Sequence, residues 1–411
     1  MEALAELPPE YDYGIMHPKG NGAPKPGINM NSRERVRAAI ARKPVDRVPL
    51  GFYAVDCDTV GRVLGRRTLV RDKVGSQIAL WEGRRAELAE GLKVDVVDFY
   101  RHMDCADLLL PKEAMLLPPA DYEPLRPRAL GEDRWEDDRG RVYQASRGAN
   151  EIQCVHDPTT QRLTWSVDDF ADDALPPQPD PSVFEVLDHV IAELGQDRYV
   201  ASTTGGITAV SLLGGTEEGL VLHALQPEVI AAANRQSVLR QNALDACFIR
   251  PGAAGVLMEQ DMAGSNGPLV SPAMFRQLGY PYLKQRLQHV RASGVEQIIF
   301  HNCGNNIPLM DMFIDCGIDC YQSLQTTAGM ELGLLKSDFG QNLCFWGGVP
   351  VELLIAGSTA EVRQAVRTAM ERGAPGGGFI LGPSHSVAFG TKYDNFLVFL
   401  DEFDRLRDRY I

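Results

Sequence analysis

The sequence predicts an α/β fold, a single TIM-type (β/α)8 barrel with an N-terminal arm and an antiparallel β insertion after its second strand. Three observations lead there. Short apolar runs bounded by turn residues alternate with helical patterns eight times along the 411 residues. The helical stretches carry their own punctuation: Ser271 precedes Pro272 at a helix start, and Ser358 stands three residues before Glu361 in a helix that Gly373 and Pro375 close. No composition break divides the chain and no Gly-x-Gly-x-x-Gly follows the first strand, so one barrel is favoured over two doubly wound domains.

Residues 1–29 read as a surface arm, because Pro and Gly recur from His17 to Gly27 and sustain neither helix nor strand. The catalytic barrel is expected over 30–411. Asn31 caps the first helix with Glu34 three residues on, Val36, Ala39 and Ile40 supply its apolar face, and Pro44 ends it. Arg47–Tyr53 reads as strand 1, Trp81–Gly91 as a helix and Val94–Phe99 as strand 2. From 104 to 180 the rhythm breaks. Four prolines (118, 119, 124 and 127) are followed by alternating aromatic and polar residues around the turns Asp138–Arg141 and Asp157–Gln161, which predicts an inserted antiparallel sheet. The remaining strands are expected at Tyr199–Thr204, Gly255–Met262, Gln297–Cys303, Cys320–Gln325, Leu343–Val349 and Gly377–Ser384.

A formal charge of -14 without any Lys/Arg-rich block argues against nucleic acid or an anionic membrane as partner. No apolar run reaches the length of a membrane span, and Met1-Glu-Ala-Leu-Ala-Glu lacks the features of an export signal, so the expected location is the cytoplasm. Eight scattered cysteines read as reduced thiols rather than a disulfide scaffold.

In such a barrel the active site lies at the C-terminal ends of the strands. At the end of strand 5, His301 and Cys303 are two apart and project to one side, which suits a shared metal ion but supplies only two of the three protein ligands a catalytic zinc needs. Glu259 and Asp261 end strand 4 in the same way and offer a further ligand or a general base. Asp56 and Cys57, then Asp98, Tyr100 and His102, then Ser202 and Thr203 stand at the ends expected for strands 1 to 3. Gln322, Gln325, Trp346, Ser384 and His385 end strands 6 to 8. Cys316 and Cys320 read as packing thiols, and His189, His223 and His289 as helix-packing residues. His385 stays open between a ligand or acid–base role and a structural hydrogen bond.

Several segments together resemble the uroporphyrinogen decarboxylase superfamily. They are Met30-Asn-Ser-Arg-Glu-Arg-Val36, Pro44-Val-Asp-Arg-Val-Pro49, the stretch from Gln260 to Pro272, Phe345-Trp-Gly-Gly-Val349 and the stretch from Pro375 to His385. The resemblance spans 30–411 apart from the insertion and implies a TIM barrel. It also implies one of two chemistries: cofactor-free decarboxylation of porphyrinogens, or zinc-assisted methyl transfer to or from a corrinoid carried by a partner protein.

The decarboxylase branch places arginines just after strand 1 to hold a polycarboxylate, whereas Tyr53-Ala-Val-Asp-Cys-Asp-Thr-Val60 is acidic. The methyltransferase branch carries His-x-Cys-Gly-Asn at strand 5, and His301-Asn-Cys303-Gly304-Asn305 resembles it. Its thiol-methylating members take a third ligand from a cysteine after strand 8, where this chain has Ser384-His385, so His385, Glu259 or Asp261 must complete the site. A harder donor set suits an ether oxygen better than a thiol.

The resemblance thus implies a zinc-assisted, corrinoid-dependent methyltransferase acting on a small methylated substrate such as a methoxylated aromatic. His301, Cys303 and Glu259 are expected to hold the metal, His301, Asp261 and His385 to carry the catalysis, and Tyr100, Gln322 and Trp346 to line the substrate pocket. The expected partners are a small methyl donor or acceptor and a corrinoid protein that meets the inserted segment, with room for a homodimer. The alternatives are a metal-free decarboxylase or lyase and a non-catalytic tetrapyrrole-binding subunit.

Overall fold

A computed structural model describes residues 29–110, 116–159 and 164–410; the expected arm, 1–29, lies outside them except for its last residue, Asn29. Helix α1 (Ser32–Ile40) begins at the predicted capping box, in which the Asn31 side chain accepts from the Glu34 N–H and the Glu34 carboxylate accepts from the Asn31 N–H. Its Val36, Ala39 and Ile40 face the interior of a ring of strands, where they meet Leu108, Tyr199, Ile299 and Ile380. The Gln297 side chain donates to the Arg37 carbonyl at 2.9 Å, just before strand 5 begins. Helix α1 is therefore the plug at the N-terminal end of the barrel.

The ring has eight parallel strands: Gly51–Phe52, Leu108–Leu109, Tyr199–Ser202, Gly255–Glu259, Ile298–His301, Cys320–Gln322, Cys344–Val349 and Phe379–Pro383, called barrel strands 1 to 8 below. A bridge between Leu50 and Leu381 closes strand 1 onto strand 8, with the Leu381 N–H donating to the Pro49 carbonyl at 2.9 Å. Alternate residues fill the inside and the helix-facing outside. Leu257, Ile299, Cys320, Cys344 and Trp346 point inward, while Val256, Met258, Ile298, Phe300 and Phe345 join the large core beneath the helices. Trp346 is fully buried and donates its indole N–H to the Gly51 carbonyl at 3.2 Å. The indole needs a glycine opposite, because a Cβ at Gly51 would stand 2.9 Å from its nitrogen.

Two expectations are corrected. Val94–Phe99 is no strand; it belongs to helix α4 (Arg85–His102), which follows α2 (Cys57–Leu64) and α3 (Lys73–Trp81). Its β-branched run is overridden by a helical stripe, Leu88, Leu92, Val96 and Phe99, that packs on the core and leaves Val94 exposed. The helix expected from Trp81 begins only at Arg85, because Gly83 at φ +79° breaks the chain between α3 and α4. True strand 2 is Leu108–Leu109, inside the stretch read as insertion.

The inserted sheet is present as four antiparallel strands, Arg128–Gly131, Arg134–Glu136, Val142–Ser146 and Glu151–His156. The predicted turn before Arg141 is held by Asp137, whose carboxylate accepts from the Arg139 and Arg141 N–H groups at 2.9 Å each. Around the second predicted turn, Asp157–Thr159 follow the last strand, and residues 160 and 161 lie outside the described residues. Trp135 and Tyr143 pack on Trp81 of α3 with ring centroids 5.4 and 5.2 Å away. At its last hairpin the Asn150 amide donates to the Arg71 carbonyl at 2.7 Å and accepts from the Lys73 N–H at 3.0 Å. The sheet is thereby tied to the chain just after strand 1.

Candidate metal centre

Parallel register puts Glu259, His301 and Gln322 in one layer at the C-terminal ends of strands 4, 5 and 6. All three side chains alternate inward from apolar residues two positions earlier, so the sheet geometry alone converges them. His301 is almost wholly buried and its Nδ1–H donates to the Gln322 side-chain carbonyl. That contact fixes the tautomer and turns the Nε2 lone pair toward the mouth, where the Cys303 Sγ stands 3.4 Å away.

The turn after strand 5 presents Cys303. Asn302 is buried beneath it and accepts from the Met262 N–H and the Asn306 amide, each at 2.9 Å. Gly304 follows at φ +83°, where a Cβ would stand 2.3 Å from the Ala263 carbonyl oxygen. Only glycine lets the two loops approach so closely. The Asp261 carboxylate accepts from the Cys303 N–H at 2.8 Å and lies 3.9 Å from His301 Nε2, with most of its side chain in solvent. Burial first and the Asp261 charge second push the Cys303 thiol up to about 12. A nearby cation is what such a thiol needs to ionise near neutral pH.

His385 arrives from the loop after strand 8. Ser384 anchors that loop: its N–H donates to the Val349 carbonyl at 2.7 Å, its hydroxyl accepts from the Val351 N–H at 3.1 Å, and its carbonyl accepts from the Ser323 hydroxyl at 2.5 Å. His385 is exposed beyond this anchor, its ring 5.5 Å from that of His301. The donor atoms of His301, Cys303 and His385 lie within 4.8 Å of one another.

These residues fit a zinc ion. Tetrahedral coordination with ordinary Zn–N and Zn–S bonds spaces a nitrogen and a sulfur about 3.5 Å apart, close to the 3.4 Å between His301 and Cys303. One imidazole is already oriented by a buried carbonyl, the usual support of a metal-bound histidine.

The sequence found His301, Cys303 and His385, but it placed Glu259 ahead of His385 as third ligand. Instead Glu259 accepts a hydrogen bond from the Tyr53 hydroxyl at 2.7 Å, and it lies outside the three-donor cluster. Tyr53 is the residue sequence reasoning missed. Its ring stacks on His301 at 4.2 Å and 16° and meets His385 at 5.3 Å. The sequence carries the signal: in a strand through Gly51 and Phe52, residue 53 points inward at the mouth, ahead of Asp56 and Cys57 at the expected strand end.

Of the expected substrate-lining residues, Tyr100 is corrected, since it sits on α4, buried in the core edge-on to Phe99. Gln322 is fully buried and engaged with His301, and Trp346 forms part of the packed floor below.

A closed parallel barrel with two imidazoles and a thiol gathered at its C-terminal mouth defines a class of barrel proteins whose strand-end residues could hold a metal ion. The family description "Uroporphyrinogen decarboxylase (URO-D)" matches residues 158–406, more than half of the chain, and the chain belongs to that family. Among solved structures, a methyltransferase from Methanosarcina mazei superposes with a TM-score of 0.63 over 92% of this chain and 99% of that one. At 16% sequence identity that likeness is one of fold. No curated protein matches the chain. No helix among the described residues is long and apolar enough to cross a membrane.

Proposed function

We propose that this protein is a zinc-assisted methyltransferase that moves a methyl group between a small methylated substrate, such as a methoxylated aromatic, and a cobamide carried by a partner protein. The observation that carries the reading is the convergence of His301, Cys303 and His385 at the barrel mouth in a chain of this family. The fold shared with a methyltransferase supports it.

When bound, zinc supplies a Lewis acid for the heteroatom that bears the methyl group. The chain's own residues do the rest. His301, oriented by Gln322 and braced by the Tyr53 ring, holds one coordination direction fixed. The Asp261 carboxylate, at the rim and 3.9 Å from His301 Nε2, is placed to take or return the proton that accompanies transfer. Two nitrogens and one sulfur make a harder set than a site with two thiolates, which favours an oxygen-bound methyl group over a thioether. The cobamide belongs to the partner, which must approach the C-terminal mouth; the inserted sheet, tied to the mouth through Asn150, is the surface proposed to receive it.

A metal-free decarboxylase is the weaker reading. Arg71 is an arginine close behind strand 1, but its guanidinium donates to Asp56 at 2.5 Å, and Asp58, Glu259 and Asp261 add negative charge to the same end of the barrel.

The test is elemental analysis of the purified chain beside His301→Ala, Cys303→Ala and His385→Ala. About one zinc per chain, lost or depleted in all three variants, followed by demethylation of a methoxylated aromatic with Co(I) cobalamin, is the expected result. A wild type that neither copurifies with nor takes up zinc overturns it.

A further inference from the structure

His385 is the exposed member of the donor triad, so its placement depends on the loop that carries it. That loop is pinned on both sides. Before His385, Ser384 is bonded to the ends of barrel strands 6 and 7. After it, the chain turns back alongside the segment that leaves barrel strand 1: the Val387 N–H donates to the Ala54 carbonyl and the Asp56 N–H donates to the Val387 carbonyl, each at 2.9 Å. Only His385 and Ser386 lie between the two anchors.

Asp56 is the hub of the second anchor. It occupies the N-cap position of α2, where an aspartate ordinarily accepts from the helix's own N–H groups, yet it makes no capping hydrogen bond. Its carboxylate is turned elsewhere. One oxygen accepts from the Phe389 N–H at 3.0 Å and the other from Arg71 Nε at 2.5 Å, while Asp58 accepts from the Gly390 N–H at 2.8 Å.

The Arg71–Asp56 pair is nearly closed to solvent, with 9% and 8% of the two side chains exposed. Arg71 also holds φ at +56°, in the left-handed region that residues with a Cβ enter rarely and keep only where their surroundings impose it. A buried ion pair adds little net stability, because desolvation offsets the attraction. What this pair supplies is a fixed direction for the Asp56 carboxylate. The forgone cap and the strained arginine thus lead to the same place, the loop after strand 8.

We infer that Arg71 and Asp56 are positioning residues for the metal centre: Arg71 fixes the Asp56 carboxylate, Asp56 fixes Val387 and Phe389, and the loop so held presents His385 to His301 and Cys303. The inference rests on the metal reading above. The test is a double-mutant cycle on zinc affinity, measured in the full-length protein by competition with a chromophoric chelator. Asp56→Ala, Asp56→Asn and Arg71→Met are each made in wild type and in His385→Ala. Asp56→Ala and Arg71→Met are expected to weaken zinc binding about tenfold. Asp56→Asn, which keeps an acceptor for Phe389, is expected to recover most of that loss. Both losses should shrink to within about twofold once His385 is alanine, whereas general damage to the fold would persist there.

Metal-free protein gives a second readout: in Asp56→Ala, hydrogen exchange at the Val387 and Phe389 amides should quicken about tenfold while barrel strand 4 stays protected. Arg71→Met answers the question if Asp56→Ala disturbs folding. Wild-type zinc affinity in both Asp56→Ala and Arg71→Met, an equal loss with and without His385, or unchanged exchange at Val387 and Phe389 overturns the proposal and leaves the metal reading in place. A wild type that takes up no zinc overturns both.

Discussion

Replacing Gln322 by leucine tests the site where its support is most explicit. Gln322 is fully buried on barrel strand 6, in register with His301, and its side-chain carbonyl accepts the His301 Nδ1–H. Leucine has similar bulk, so the barrel interior stays filled, but it removes the acceptor that fixes the imidazole tautomer and ring direction. It also removes the 3.4 Å contact from the Gln322 amide to the Ser384 carbonyl, beside His385. Loss of such an outer partner weakens metal binding about 10- to 100-fold, which corresponds to roughly 1.4–2.7 kcal/mol.

The assay is competition for zinc against a chromophoric chelator near neutral pH, with wild type, Gln322→Leu and Gln322→Glu side by side. Gln322→Glu keeps an acceptor and adds charge, so it should match or exceed wild type. Zinc affinity of Gln322→Leu within about twofold of wild type, in a protein of unchanged fold, would refute the claim that this contact orients a metal ligand.

Other consequences follow from particular contacts. Tyr53→Phe keeps the ring on His301 but removes the hydroxyl that donates to Glu259, and chemical denaturation should show a loss of about 1–3 kcal/mol at this partly buried contact. Arg286→Met strands the buried Asp245 carboxylate, which Arg286 grips at 2.5 and 2.6 Å, and should cost about 3–5 kcal/mol in urea unfolding. At Glu402 burial works to raise the carboxyl, yet hydrogen bonds and charge from Arg367 and Arg363 hold it below the usual range. A depressed folded-state value stabilises above the unfolded pKa near 4.3, and that stability disappears as pH falls through the lower folded value. Glu402→Gln should therefore lower Tm at neutral pH and flatten the fall of Tm below about pH 4.3. Deleting the inserted sheet should abolish transfer from a protein-bound corrinoid while sparing activity with free cobalamin; equal loss of both would remove the docking role.

The sequence by itself determined the barrel, because seven of its eight strands are apolar runs flanked by turn residues and the helices carry caps such as Asn31 and Ser358 that act locally. It also determined two of the three cluster donors, since His301 and Cys303 are two residues apart at one strand end. Strand 2 escaped it because two leucines hydrogen-bonded on both sides leave no periodicity to read, while Val94–Phe99 imitates a strand inside an 18-residue helix. Tertiary structure alone decided the rest. Which of His385, Glu259 and Asp261 joins the cluster depends on how the loop after strand 8 is anchored at Ser384 and on the Tyr53 hydroxyl that engages Glu259. Those contacts join residues more than 200 positions apart in the case of Tyr53 and Glu259, and barrel closure brings them together where no local pattern records them.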